Sequence, residues 1–286
     1  MANKNLAGVF LVAATLGPAA SAYTITTIDV PGAVLTAPQG INTSGQVVGT
    51  TFAADGVTHG FLLAGGKFTA INVPKHLQTA PRGINDLGVI VGQYDDGPIT
   101  GPTSTHGFVL RQGEFTTIDF PGVSFTGVFG INNLGIMVGN IIDNSGVNHG
   151  FLHVDGTFTQ IDVPEALETF AFGINDENEI VGFYVDQTGT PHGYLRPFDG
   201  HFITIDAPGA TDTRARGIND LSVIAGQYTD ASGTHAFVDT FGGFSTINVP
   251  GAVATFGRGI NQLGDVAGNF VDAATGRTRG FVATPY

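Results

Sequence analysis

The 286-residue sequence contains no cysteine, no tryptophan and only three lysines. Without cysteine there is no disulfide, no thiolate nucleophile and no thiolate metal site, so stability must come from a packed core. Basic residues number 11 against 24 acidic ones, giving a formal charge of −13. A phosphate backbone or an anionic membrane selects a basic footprint, so no nucleic-acid partner is expected and the acidity reads as solubility in an external medium. The lack of tryptophan counts against a carbohydrate-stacking platform, which aromatic faces commonly supply. No GxSxG, HExxH, P-loop or dinucleotide fingerprint occurs either, so no standard motif nominates a reaction.

Long apolar runs are also scarce. The run from Leu6 to Leu16 follows Lys4 and leads into Ala20-Ser21-Ala22, the order of a secretory signal peptide cleaved after Ala22. It is too short for a membrane helix, which needs about 20 residues. The expectation is a signal peptide over residues 1–22 and a single mature domain over 23–286, secreted or periplasmic, monomeric and without a membrane span.

What the chain has in abundance is glycine, 43 residues of it, and repetition. Six copies of one pattern begin near Ile28, Ile71, Ile118, Ile161, Ile205 and Ile247, at spacings of 43, 47, 43, 44 and 42 residues. Each reads apolar-Asp/Asn-x-Pro, then GIN, then a further Gly, then His-Gly-Phe or a variant of it. Such a period marks an array of identical supersecondary units. In the second copy, Lys67 to Val73 is β-branched and aromatic and is stopped by Pro74, as a strand should be. Further strands are expected from Thr79 to Ile84, from Val89 to Tyr94 and over His106–Leu110, with Asn85-Asp86-Leu87-Gly88 as a hairpin turn. Asn178 can replace the turn glycine in copy four, while Ser222 suits that place less well in copy five. Pro-Gly corners close four copies as type II turns; Pro74-Lys75 and Pro164-Glu165 lack the glycine and are expected to turn differently.

Four short antiparallel strands per copy, apolar on both faces, predict an all-β fold: a six-bladed β-propeller of four-stranded blades. The strand Tyr23–Asp29 should pair with Gly280–Tyr286, sealing the ring and removing the exposed sheet edges. At His235-Ala236-Phe237 the chain carries the tripeptide that gives its name to the HAF-type family of bacterial extracellular repeats, and its GIND and IVG elements are similar to the rest of that repeat. The resemblance covers essentially the whole mature chain. It implies a secreted bacterial protein and brings no catalytic residues with it.

Comparing the copies separates frame from exception. Asn42, Asn85, Asn132, Asn175, Asn219 and Asn261 recur in every copy, as does the Gly seven residues later, so both are read as frame. His59, His106, His149, His192 and His235 share one position, with Arg279 in the sixth copy. A metal ring and a buried structural histidine both explain them; structural is preferred, because metal sites need three or four converging ligands. The loop acids Asp55, Asp95, Asp96, Asp143, Asp186, Asp230 and Asp272 read as turn formers, and Asp143-Asn144-Ser145-Gly146 comes nearest to a calcium loop. No metal site is nominated and no cofactor expected, with calcium the one left open. Asp29, Asp119, Asp162 and Asp206, replaced by Asn72 and Asn248 elsewhere, are read as turn caps.

The exceptions nominate a ligand site. Arg82, Arg214, Arg216 and Arg258 precede GIN in three copies, where others carry Gln39, Phe129 and Phe172. They either face the channel together as an anion site or pair locally with acids of their own blade. The long loop of copy two, Asp95 to Thr105, is either a cover for one face or a tolerated insertion. Two functions follow: a binding or scaffold propeller for a small molecule, glycan or protein, or an extracellular hydrolase or lyase acting on a carbohydrate or lactone through channel-facing carboxylates or histidines. Charged exceptions converging at one mouth of the channel would favour the enzyme, and mouths built only of repeated frame would favour the scaffold.

Overall fold

The computed structural model describes residues 23–54, 56–97 and 104–286; the expected signal peptide, Asp55 and the prolines of the long loop lie outside them. Every regular element among the described residues is a β-strand, and no helix is long and apolar enough to cross a membrane. One unit runs Gln78–Ile84, Ile90–Asp95, Thr105–Arg111 and Glu114–Ile118, each strand antiparallel to the next. These bounds lie within about a residue or two of the expected ones, save that the outer strands end before the Asp/Asn-x-Pro corner. The sequence repeat is out of phase with the sheets by one strand, since Lys67–Ile71, which opens copy two, pairs with Thr58–Ala64 of copy one. Single parallel bridges, Phe125 to Thr105 and Thr234 to Ala254, join two pairs of neighbouring units into larger sheets.

The phase shift leaves the last unit one strand short, and the first strand completes it. Tyr23–Ile28 pairs antiparallel with Thr278–Pro285, in register from Tyr23 opposite Pro285 to Ile28 opposite Gly280. Arg279 reinforces the seam by donating to Asp29 at 2.6 and 2.9 Å.

Apolar residues on both faces of each sheet are buried between sheets. Val48 of the first unit packs with Ile90 and Phe108 of the second. Val91 of the second packs with Val128 and Phe151 of the third, and Ala267 of the last packs with Ile41 and Phe61 of the first. The aromatic of each His-Gly-Phe element is almost fully buried, as Phe61, Phe108, Phe151, Tyr194, Phe237 and Phe281, each worth about 1.5–3 kcal/mol of transfer free energy. Sheets stacked face to face about a central channel are β-propeller architecture.

The invariant asparagines form a belt around that channel. Oδ1 of Asn85 accepts the N–H of Leu87 and of Val89, which shapes the hairpin turn, while its Nδ2 donates to the carbonyl of Asn132 in the next unit. Asn42 donates to Asn85, Asn132 to Asn175, Asn175 to Asn219, Asn219 to Asn261, and Asn261 back to Asn42, all at 3.0–3.1 Å. A buried Thr pins each corner as well: Thr79 Oγ1 accepts the N–H of Val73, and Thr36, Thr126, Thr169, Thr213 and Thr255 repeat the bond. These threonines were not singled out from the sequence.

The corners after Pro74 and Pro164 do not turn differently. Lys75 and Glu165 sit at φ 71° and 64°, in the left-handed region that Gly32, Gly122, Gly209 and Gly251 occupy elsewhere. The closing bonds from His76 to Val73 and from Ala166 to Val163 match those of the glycine corners. The packed sheets on either side fix the chain path, so these two side chains accept a strain of roughly 1–2 kcal/mol. Ser222, at φ 56°, does the same in the hairpin where Asn178 stands at 62°.

Candidate functional site

The strand nearest the axis carries the same irregularity in every unit, and it creates the site. Pairing skips a residue between Pro38 and Gly40, Pro81 and Gly83, Val128 and Gly130, Ala171 and Gly173, Ala215 and Gly217, and Gly257 and Gly259. The skipped residues are Gln39, Arg82, Phe129, Phe172, Arg216 and Arg258, the exceptions to the repeat. A β-bulge leaves its extra residue out of the ladder and re-aims the side chain. All six line one cavity of about 100 Å³ at one mouth of the channel. The glycine after each bulge allows the approach, because a Cβ on Gly40, Gly83, Gly130, Gly173, Gly217 or Gly259 would lie 2.6–3.1 Å from a backbone carbonyl of the neighbouring unit.

Arg82, Arg216 and Arg258 therefore face the channel together, and no carboxylate lines this cavity among the described residues. The phenylalanines hold the cations in place: Arg216 lies 4.0 Å from the Phe172 ring centroid and Arg82 5.4 Å from that of Phe129, while Phe172 stacks on Phe183 and Phe170. Nε of Arg82 and Nε of Arg216 are buried without a hydrogen-bond partner. Arg258 Nε reaches only Asn269 Oδ1, at 3.5 Å. Burial pulls Arg82 down to about 10; burial and then the charges of Arg82 and Arg214 pull Arg258 down to about 10. Arg216 lies well below the usual arginine range through burial and then repulsion from Arg258, Arg214 and Arg82. Guanidinium stays protonated at neutral pH, so this is a crowded cationic set that an anion would relieve.

Arg214 is placed apart from this set. Two residues before the bulge, it forms a bidentate pair with Asp212 at 2.7–3.1 Å and lies over Phe183. The local pairing expected as one alternative for all four arginines describes this one.

The opposite mouth carries the Asn belt and, outside it, a ladder of short side chains. Thr43 donates to Asp86, Asp86 N–H to Asn133, Asn133 to Asp176, Asp176 N–H to Asp220 and Asp220 N–H to Gln262, at 2.7–3.0 Å. Asp86, Asp176 and Asp220 line that mouth.

The repeated histidines lie away from both mouths and are partly exposed, His106 at 24% and His149 at 19% of side-chain surface, rather than buried. His106, His149, His192 and His235 each bridge the Asp/Asn-x-Pro corner and the loop ahead of it. His106 meets Asp119 at 2.9 Å and Asp96 at 3.3 Å, and His149 meets Asp162 and Asp143. His192 meets Asp206 and Asp186, His235 meets Asn248 and Asp230, and His59 meets Asn72. Arg279 makes the equivalent bridge to Asp29 and Asp272. The corner carboxylates are thus side-chain partners rather than turn caps, and they do not converge on the axis. Asp143 Oδ1 accepts Ser145 N–H and Val147 N–H at 2.8 and 2.9 Å, the geometry of a turn.

These bridges set a pH dependence. Burial lowers the pKa of His106, His149 and His192, but the bonds to their carboxylates outweigh it and the net shift is upward. Such a group contributes stability that is complete below the unfolded value near 6.5 and is lost as pH rises through the folded value. The loop acids run the other way. Backbone bonding from Ser104 and then His106 lower Asp96, Val147 N–H and then Ser145 lower Asp143, and Thr188 and then Thr190 N–H hold Asp186 at about 2. Their contribution is present above the unfolded value near 4 and lost in stronger acid. Both sets act together between about pH 4 and 6.5, so melting temperature should peak there and decline toward pH 8; a melting curve that rises steadily from pH 5 to 8 would contradict this.

No family model and no curated protein matches the chain. Among solved structures, AofleA from Arthrobotrys oligospora is 12% identical, with a TM-score of 0.58 over 95% of this chain and 89% of that one. The putative TolB of Agrobacterium tumefaciens is 11% identical, with a TM-score of 0.57 over 88% and 90%. The β-propeller domain of the Trilobed protease from Pyrococcus furiosus, described as having an open velcro topology, is 11% identical, with a TM-score of 0.53 over 86% and 80%. At these identities the likeness is one of fold, and this chain shares the β-propeller fold.

Proposed function

We propose that the chain is a secreted, six-bladed propeller of the HAF-type repeat family, closed into a ring, that binds a small anion at the arginine-lined mouth of its channel. The Asn belt that returns from Asn261 to Asn42 and the pairing of Tyr23–Ile28 with Thr278–Pro285 support the closed ring. The observation that carries the function is the convergence of Arg82, Arg216 and Arg258, each placed by a bulge, with no carboxylate lining the cavity among the described residues and the nearby Asp212 already paired with Arg214. The cavity accommodates a single carboxylate, sulfate or phosphate group, and the body of a larger ligand would lie outside it. Planar guanidiniums recognise these groups through paired hydrogen bonds.

Symmetry-breaking charges at one mouth were the feature expected of an enzyme. No carboxylate or histidine lines that mouth among the described residues, however, and the repeated histidines sit with their carboxylate partners in bridges away from it. Recognition is therefore favoured over hydrolysis or elimination. Sulfate and phosphate, compared with chloride at matched ionic strength, should raise the melting temperature with saturation, and Arg216→Ala should abolish the effect. Equal response of the variant and the parent would remove the site.

A further inference from the structure

A larger cavity, of about 430 Å³, opens away from the axis between the units whose innermost strands are Glu168–Ile174 and Asp212–Ile218. Its walls are apolar, formed chiefly by Leu195, Ile203, Phe241 and Phe244, and its size lies in the range of small-molecule sites. Two departures from the repeat meet there.

The first is Asp239. Through pairing with the strand that follows the hairpin turn, it stands where the other units have Leu63, Leu110, His153, Arg196 and Ala283. It is 5% exposed, accepts one hydrogen bond, from Gly242 N–H at 2.7 Å, and pairs with no cation among the described residues. Burial raises its pKa, with the Gly242 bond opposing. A carboxylate in a core position is unfavourable unless it is paired. The other acids lining the cavity have partners: Asp206 binds His192, and Glu179 accepts Ser222 Oγ and Asn175 Nδ2.

The second is Phe241, at the adjoining hairpin. It holds φ 53°, a conformation that strains a bulky residue, and it is 83% exposed. The corresponding left-handed residues of other hairpins are Gly65, Gln112 and Asp155. A strained aromatic turned to solvent beside an apolar cavity, with an unpaired carboxylate within it, is a wall awaiting an apolar body and a charge awaiting a cation.

We propose that this cavity is a second binding site, for a small organic cation whose ammonium pairs with Asp239 and whose apolar body lies against Ile203, Phe241 and Phe244. Charge complementarity selects the occupant: an anion would meet Asp239, Asp206 and Glu179, and a neutral body would leave Asp239 unpaired. The site is independent of the arginine mouth and requires no event there.

Benzylamine is a suitable probe and benzyl alcohol its neutral counterpart, measured by calorimetry on the mature chain at pH 7. Benzylamine should bind saturably and at least roughly tenfold more tightly than benzyl alcohol, the value of one charge-assisted hydrogen bond. Asp239→Asn keeps an acceptor for Gly242 N–H and should erase that preference. Phe241→Ser, on an exposed hairpin outside the core, should weaken benzylamine several-fold while the fold persists, which keeps the test decisive if the Asn variant does not fold. Saturating sulfate should not displace benzylamine. Absence of saturable benzylamine binding, equal affinity for the two probes, or a preference that survives Asp239→Asn would overturn the proposal.

Discussion

Asn132→Leu is expected to lose about 4 kcal/mol of stability, a fall in melting temperature on the order of 10 °C. The side chain is buried and makes four hydrogen bonds: Oδ1 accepts from Leu134 and Ile136, and Nδ2 donates to the Asn175 carbonyl and to Asn178 Oδ1. Leucine keeps the branching of the side chain but is bulkier, so the loss combines polar groups left without partners with overpacking at a buried site. One substitution therefore unfastens both a hairpin turn and the joint between two units. Thermal or urea unfolding measures it, and a change below about 1 kcal/mol would show that the belt is ornamental to stability.

Gly139→Ala should cost at least about 3 kcal/mol, at the upper end for overpacking, because backbone rather than a flexible side chain obstructs the added methyl. Gly139 lies opposite Val128, next to the bulge that carries Phe129. A Cβ there would press on the Gly127 carbonyl and sit 2.7 Å from the Phe151 ring. Relief requires the inner strand to shift, which would also move Phe129 out of the arginine mouth. The control is Gly135→Asn at φ 82° in the hairpin turn. Asn178 already fills that place in a sister unit, so the control should change stability by only a few tenths of a kcal/mol. Comparable losses for the two substitutions would refute the backbone-contact argument.

The repeat and its strands were legible because proline, glycine and β-branched patterning act locally. The pairing of Tyr23–Ile28 with the last strand followed from the phase of the repeat, which leaves those two strands to complete one unit. The Asn of GIN was visible as frame, but its donation to the next unit was not, since a bond spanning 43 residues leaves no local pattern. The arginines were visible as exceptions; their convergence was hidden because it depends on a bulge, and a one-residue slip in pairing does not alter the composition of the strand. Arg214 and Arg216 show the limit most directly: two residues apart in sequence, one pairs with Asp212 and the other lines the channel. The turns at Lys75 and Glu165 were misread because glycine was taken as a requirement of the corner, whereas tertiary packing imposes the same path on residues that strain to follow it.

The two mouths of the channel differ in sign, with guanidiniums at one and the carboxylates of Asp86, Asp176 and Asp220 at the other. On a molecule whose net charge is strongly negative, the field then has a direction along the axis. Under the proposed anion-binding role, such a field would disfavour approach of an anion from the aspartate side and orient one that enters from the arginine side. The same polarity gives the propeller a preferred attitude beside any charged surface, presenting its arginine pole to a negative one and its aspartate pole to a positive one. A propeller of near-identical units thus has a front and a back, determined by three arginines and three aspartates rather than by its shape.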